Sequence, residues 1–270
     1  MAGGLVHLLL IPALFLLRCE AGNVLYNIGP MYRGGFLKYK DYVLMLQLDC
    51  NLVLYDKNKA VWSTKTKASS CSLQLKTTGE LVLSGRSGET LWSSGTRGSE
   101  QGKYVFVLQE DRNLVVYGTQ LWDTNTGLST PIHPPLTPID MDPRAENALI
   151  PRRILYPGNS VKKGQWELKL ETNCNLVLYE DGDKVIWATN VTGKKEDGCY
   201  LKNDAEGGLY VNDGSGNTIW TTGTSTPLSL LVLQSDRDLV LYGPAIWASS
   251  TIPSTHLHKN ATTTLPLLSA

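Results

Sequence analysis

The chain has 270 residues, with Lys+Arg and Asp+Glu balanced at 25 each, 42% hydrophobic residues and 19% charged residues. That length suits two domains with a core apiece, and a formal net charge of zero gives no electrostatic basis for binding nucleic acid or an anionic membrane. The histidines fall at His7, His133, His256 and His258, outside both candidate domain bodies, which argues against an enzyme working by acid-base catalysis.

An apolar run from Leu5 to Leu17, ended by Arg18 and followed by Cys19-Glu20-Ala21, reads as a secretory signal peptide over residues 1–22. At 13 residues the run falls short of the about 20 that span a bilayer, so no membrane insertion is expected. Removing this segment takes Cys19 with it and leaves Cys50, Cys71, Cys174 and Cys199, one pair per half at spacings of 21 and 25. In the oxidising compartment that secretion implies, the pairs suit two local disulfides, each worth about 3 kcal/mol by loop closure. A zinc site is the rival reading, opposed by the lack of any Cys-x-x-Cys and of spaced histidines, so no metal or other cofactor is expected.

The body of the chain is duplicated. Cys50-Asn51-Leu52-Val53-Leu54-Tyr55 returns as Cys174-Asn175-Leu176-Val177-Leu178-Tyr179, an offset of 124, and Asn23-Val24-Leu25-Tyr26 is matched with Arg153-Ile154-Leu155-Tyr156. This predicts domains over residues 23–125 and 153–250. Residues 126–152 between them are a Pro-rich linker that supports neither ladder nor helix and, with Arg144 and Arg152, invites proteolytic cleavage. Residues 251–270 read as a C-terminal tail or propeptide, and Asn190 and Asn260 head glycosylation sequons.

A finer period runs inside each half: Trp62, Trp92 and Trp122 are 30 apart, and Trp187, Trp220 and Trp247 follow at 33 and 27. In each unit a Leu-Val alternation leads to a turn such as Asp56-Lys57-Asn58-Lys59, and a short strand then carries the Trp. Three units of short antiparallel strands per half make the fold all-β. The repeated Trp positions are expected to meet in the core on a pseudo-threefold axis, while Trp166 is out of phase with them.

One nine-residue pattern carries candidate chemistry. In Gln47-Leu48-Asp49-Cys50-Asn51-Leu52-Val53-Leu54-Tyr55 strict alternation puts Leu48, Cys50, Leu52 and Leu54 on the core face and Gln47, Asp49, Asn51, Val53 and Tyr55 on the outer one. The outer set offers amides, a carboxylate, a phenol and a small apolar patch, a donor and acceptor array suited to vicinal sugar hydroxyls. Gln109, Asp111, Asn113, Val115 and Tyr117 repeat all five positions, and Gln234, Asp236, Val240 and Tyr242 repeat four, with Asp238 replacing the Asn. Core packing alone does not require such a polar set to recur.

The sequence here resembles the monocot, or bulb-type, mannose-binding lectins, whose signature is Gln-x-Asp-x-Asn-x-Val-x-Tyr repeated about three times per domain, and the resemblance spans nearly all of residues 23–250. It implies tandem β-prism II domains, each of three four-stranded antiparallel sheets with pseudo-threefold symmetry. By family resemblance, Asp49 with Asn51 and Asp111 with Asn113 bind the axial 2-hydroxyl of mannose. Gln47, Tyr55, Gln109 and Tyr117 take the 3- and 4-hydroxyls, and Val53 and Val115 pack on the ring carbons. The implied function is non-catalytic recognition of mannose or high-mannose glycans in plant defence, and the implied partners are glycoproteins and other copies of the processed domains, as homo- or hetero-oligomers. The alternative is a storage or defence protein of the same fold with vestigial sites.

Other units depart from the pattern. Lys76, Thr78, Glu80, Val82 and Ser84, and Asp204, Glu206, Gly208, Tyr210 and Asn212, have lost it, so no binding is expected there. Glu171, Asn173, Asn175, Val177 and Tyr179 carry the carboxylate at the first position in place of the second, which leaves room for weak binding.

Overall fold

The Leu-Val alternations fold as strands of two to five residues, each ended by turn chemistry that the next strand reverses. The protein is described by a computed structural model over residues 22–96, 100–124, 126, 147–193, 198–204, 207–234 and 236–249. The expected signal peptide but for residue 22, most of the Pro-rich linker, the C-terminal tail with Asn260, and Glu206 lie outside the described residues. Among the described residues every regular element is a β-strand, and the strands form six four-stranded antiparallel sheets.

In the first half, β3 (Phe36–Tyr39), β4 (Tyr42–Leu46), β5 (Leu52–Asp56) and β6 (Lys59–Ser63) pair in sequence order. A second sheet joins β2 (Met31–Tyr32) to β7 (Cys71–Leu75), β8 (Leu81–Gly85) and β9 (Thr90–Ser93). The second half repeats both: β15 (Ser160–Lys163) to β18 (Lys184–Ala188) pair in order, through β16 (Trp166–Leu170) and β17 (Leu176–Glu180). There β14 (Ile154–Leu155) flanks β19 (Cys199–Asn203), β20 (Leu209–Asp213) and β21 (Thr218–Thr221). In every unit the residue before the third motif position is left-handed: Cys50 (φ 69), Gly79 (φ 78), Arg112 (φ 69), Cys174 (φ 71), Gly207 (φ 112) and Arg237 (φ 75). The disulfides Cys50–Cys71 and Cys174–Cys199, with Cα atoms 5.9 and 5.7 Å apart, staple two of these turns to the neighbouring sheet.

The third sheets are shared between the halves. β1 (Val24–Tyr26), β10 (Val105–Leu108) and β11 (Leu114–Tyr117) are completed by β24 (Ala245–Ala248), from the far end of the chain. Reciprocally, β12 (Gln120–Asp123) completes the sheet of β13 (Ala148–Leu149), β22 (Leu230–Leu233) and β23 (Leu239–Tyr242). Trp122 thus pairs opposite Leu241, and Trp247 opposite Val116. The two crossing segments bond to each other, Gly118 N donating to Pro244 O at 2.9 Å and Gly243 N to Thr119 O at 2.7 Å. A Cβ on Gly243 would lie 3.0 Å from the Thr119 carbonyl, so the close crossing favours glycine.

Two expectations change here. The halves are not self-contained, because each lends its last strand to the other. The N-terminal match also shifts: Asn147, within the expected linker, is the counterpart of Asn23, at the same offset of 124 as the cysteine motif. Asn23 Nδ2 donates to Leu108 O and Asn147 Nδ2 to Leu233 O, both at 3.2 Å, on equivalent strands.

Inward leucines fill each half, among them Leu44, Leu54, Leu73 and Leu83 in the first and Leu168, Leu178, Leu201 and Leu209 in the second, all fully buried. The tryptophans gather in the core, but not in the trios that the spacing suggested: the exchange carries Trp122 away from Trp62 and Trp92 to form a triangle with Trp187 and Trp220, ring centroids 5.8 to 5.9 Å apart and each pair edge to face. Trp62 and Trp92 meet in the same way at 5.8 Å, while the Trp247 side chain lies outside the described residues. Trp166 is a buried core residue on β16, its Nε1 donating to Glu180 Oε1 at 3.4 Å.

Candidate carbohydrate-binding faces

The Gln47–Tyr55 segment is a turn followed by a strand. Gln47 N donates to Asn51 O at 2.9 Å and Cys50 N to Gln47 O at 3.0 Å, closing the turn that links β4 to β5. Strict alternation therefore begins only at Leu52, and Leu48, expected in the core, is 72% exposed. The turn nevertheless brings the five outer residues together. Asp49 Oδ1 accepts the Asn51 backbone N–H at 3.1 Å, which pins the carboxylate. Asn51 Oδ1 accepts the Thr64 hydroxyl at 3.2 Å, which turns the amide Nδ2 outward as a donor. Gln47 Nε2 donates to the Tyr55 hydroxyl at 2.6 Å, leaving the phenol proton and Gln47 Oε1 to face a ligand. Val53 is buried between Met45 and Ser63 on the flanking strands, while Asp49 is exposed and Gln47, Asn51 and Tyr55 are half-buried.

The Gln109–Tyr117 segment repeats this wiring but not its access. Gln109 Nε2 donates to Tyr117, Asp111 Oδ1 accepts Asn113 N at 2.9 Å, and Ser249 from the far end of the chain donates to Asn113 Oδ1 at 3.0 Å. Yet Gln109, Asn113, Val115 and Tyr117 are all buried, and burial drives the Tyr117 phenol well above its ordinary pKa. The covering surface is the third sheet of the other half. Val105, Val107, Val115 and Tyr117 pack against Leu230, Val232, Val240 and Tyr242, none more than 3% exposed. Each such burial stabilises by about 1.5–3 kcal/mol relative to exposure. Asp111 alone of its five stays at an edge, lining a cleft of about 440 Å³ with Tyr39, Lys40 and Arg153.

Gln234, Val240 and Tyr242 lie on the opposite side of the same seam, and Asp238 is buried with them. Asp238 Oδ1 accepts the Thr124 hydroxyl at 2.9 Å and Thr126 N at 3.2 Å, both from the exchanged segment. Desolvation raises the Asp238 pKa, and these bonds oppose the rise. The expectation that both third motifs present their polar sets to solvent is therefore corrected: the exchanged strands hold the two faces against each other.

Across 234 residues, 84% of this chain and 85% of the relative, the sequence is 35% identical to mannose-specific lectin 2 of Colocasia esculenta. The chain belongs to the monocot mannose-binding lectin family. It is also 34% identical over 223 residues to mannose-specific lectin 1 of Remusatia vivipara, covering 80% of this chain and 82% of that one. Among solved structures, the fetuin-binding two-domain lectin of Scilla campanulata superposes with a TM-score of 0.75 at 30% identity, over 84% of this chain and all of that one. No protein-family model matches.

This lectin carries a second open face, which the sequence pattern had ranked below the third motifs. Asn173 is exposed, Glu171, Asn175 and Tyr179 are half-buried and Val177 is buried, the same distribution as at Gln47–Tyr55. Asn173 Oδ1 accepts Asn175 N at 2.9 Å, and Thr189 donates to Asn175 Oδ1 at 2.9 Å, reproducing the roles of Asp49 and Thr64. The polarity of the remaining pair is reversed: Tyr179 donates to Glu171, and this bond chiefly pushes the Tyr179 pKa up to about 12. The middle faces have other partners. Lys76 donates to Gln74 at 2.7 Å, Lys202 pairs with Asp204 at 2.7 Å, and Tyr210 donates to Gly207 O at 2.9 Å.

Proposed function

We propose that the chain binds mannose-type glycans without catalysis, through Gln47, Asp49, Asn51, Val53 and Tyr55 as the principal site and the Glu171–Tyr179 face as a weaker second one. In this reading the Gln109–Tyr117 and Gln234–Tyr242 motifs have become the seam that joins the halves. The contrast in burial carries it, because a shared wiring is open at residues 47–55 and closed at 109–117. At the open face the outward Asn51 amide, the pinned Asp49 carboxylate and the Tyr55 phenol supply donors and an acceptor that a sugar diol can meet together, and Val53 gives its carbons an apolar contact. The mannose-specific relatives support the sugar class.

The two disulfides support passage through the secretory pathway, and the apolar leader and Pro-rich linker support removal of one and cleavage of the other. A role in plant defence by glycoprotein capture follows from such binding. A glycan array tests the sugar class: signals on high-mannose glycans that vanish with Asp49→Ala are expected. Silence of the unaltered chain on every mannose glycan would instead favour a storage protein with vestigial faces.

A further inference from the structure

We propose that an N-linked glycan on Asn190 closes the second face to glycans on other molecules, so that this modification sets whether the chain presents one open site or two. The proposal rests on the reading of Glu171–Tyr179 as a sugar site.

The sequon Asn190-Val191-Thr192 is strapped across that face. Asn190 N donates to Asn175 Oδ1 at 2.9 Å, and with an N–Cα bond of about 1.46 Å this places the Asn190 Cα within about 4.4 Å of a site atom. Two residues past Val191, Gly193 N donates to Asn173 O at 2.8 Å, so the segment is tied to the second and third motif positions alike. Gly193 is pressed on the disulfide: a Cβ there would clash with Cys174 Sγ. Asn190 and Thr192 are both exposed, as a modification site requires, and Asn190 sits at φ 55, a left-handed conformation that asparagine tolerates better than most residues.

A glycan attached here starts at the rim of the face, with its attachment residue bonded through the backbone to Asn175. The oligomannose that the secretory pathway attaches also belongs to the class of sugar the face would read, and a short tether holds it at an effective concentration of the order of millimolar. A ligand from another molecule must displace it. The first half lacks this device. Its matching segment, Lys65-Thr66-Lys67-Ala68, has the same left-handed start at Lys65 (φ 56) and the same anchor, Ala68 N to Asp49 O at 2.9 Å, but no sequon.

The test uses the full chain secreted from a eukaryotic host, with Asp49→Ala to silence the first face and Asn260→Gln to remove the tail sequon. Intact mass reports occupancy of Asn190, and titration with an α-linked mannotriose reports the second face. The glycosylated chain is expected to bind about tenfold more weakly, or worse, than the same chain carrying Thr192→Ala or Asn190→Gln, and enzymatic removal of the glycan should restore binding. Equal affinities with and without the glycan would overturn the masking alone. Absence of a glycan at Asn190 would overturn it too. If neither the glycosylated chain nor the sequon variants bind, the second face is not a sugar site and the proposal falls with it.

Discussion

Trp122 and Trp187 lie edge to face with ring centroids 5.8 Å apart, although the Pro-rich segment separates them in the chain. Both disulfides close within one half, so among the described residues no disulfide joins the halves. Cleavage within residues 127–146 should therefore give two chains of similar size that co-elute under native conditions, held by β12, β24 and the buried seam, and that part only in denaturant. Size-exclusion chromatography with mass spectrometry checks this. Cut halves that migrate separately in native buffer would contradict it.

The exchange left a trace in the sequence that repeat matching overlooks. Where a unit folds back on itself the turn uses a left-handed residue, as at Lys57 (φ 55) in Asp56-Lys57-Asn58-Lys59 or Asp181 (φ 54) in the second half. The corresponding segments before β12 and β24 are Tyr117-Gly118-Thr119-Gln120 and Tyr242-Gly243-Pro244-Ala245, and neither glycine adopts a positive φ. The chain runs straight across in place of reversing. Burial of the third faces was also written in Val105-Phe106-Val107-Leu108 and Leu230-Leu231-Val232-Leu233, apolar on both faces, whereas Cys71-Ser72-Leu73-Gln74-Leu75 alternates. The five-residue polar set was legible because it recurs. Its accessibility was not legible in the motif itself, which reads the same on an open face and a covered one; the signs of burial lie outside it, in the flanking strands and turns. Leu48 was misplaced for a simpler reason: alternation holds in strands and not in the turn that precedes one.

Asp238→Asn is expected to leave mannose binding unchanged, since the residue lies in the seam. Asparagine keeps the Oδ1 acceptor used by Thr124 and Thr126. Burial raises the folded-state pKa of Asp238 above the ordinary 3.8, so its favourable contribution is fully present below that value and lost as pH rises through the raised one. The variant lacks this loss, and its thermal stability should gain on the unaltered chain as pH increases across that window. Melting curves at several pH values check it. A gap that narrows with rising pH would contradict the assignment.

The second face should become a full site when its carboxylate is returned to the second position. Glu171→Gln with Asn173→Asp recreates Gln-x-Asp-x-Asn-x-Val-x-Tyr on a backbone that already has the Asn175 and Thr189 bonds in place. A charge-assisted hydrogen bond contributes about 1.5–3 kcal/mol, so a mannoside should bind this variant about tenfold more tightly or better. Calorimetry on unglycosylated protein carrying Asp49→Ala isolates the effect. No gain would mean that the motif, even when open, is insufficient.

Retention on mannose-agarose of Asp49→Ala against Asp111→Ala tests the central claim most directly. Both carboxylates accept the same backbone bond, Asp49 from Asn51 N at 3.1 Å and Asp111 from Asn113 N at 2.9 Å, so the substitutions remove equivalent contacts from an open face and a closed one. With circular dichroism showing both variants folded, Asp49→Ala should lose most of its retention and Asp111→Ala should elute with the unaltered chain. Equal losses, or full retention of Asp49→Ala, would contradict the assignment of the open face as the principal site.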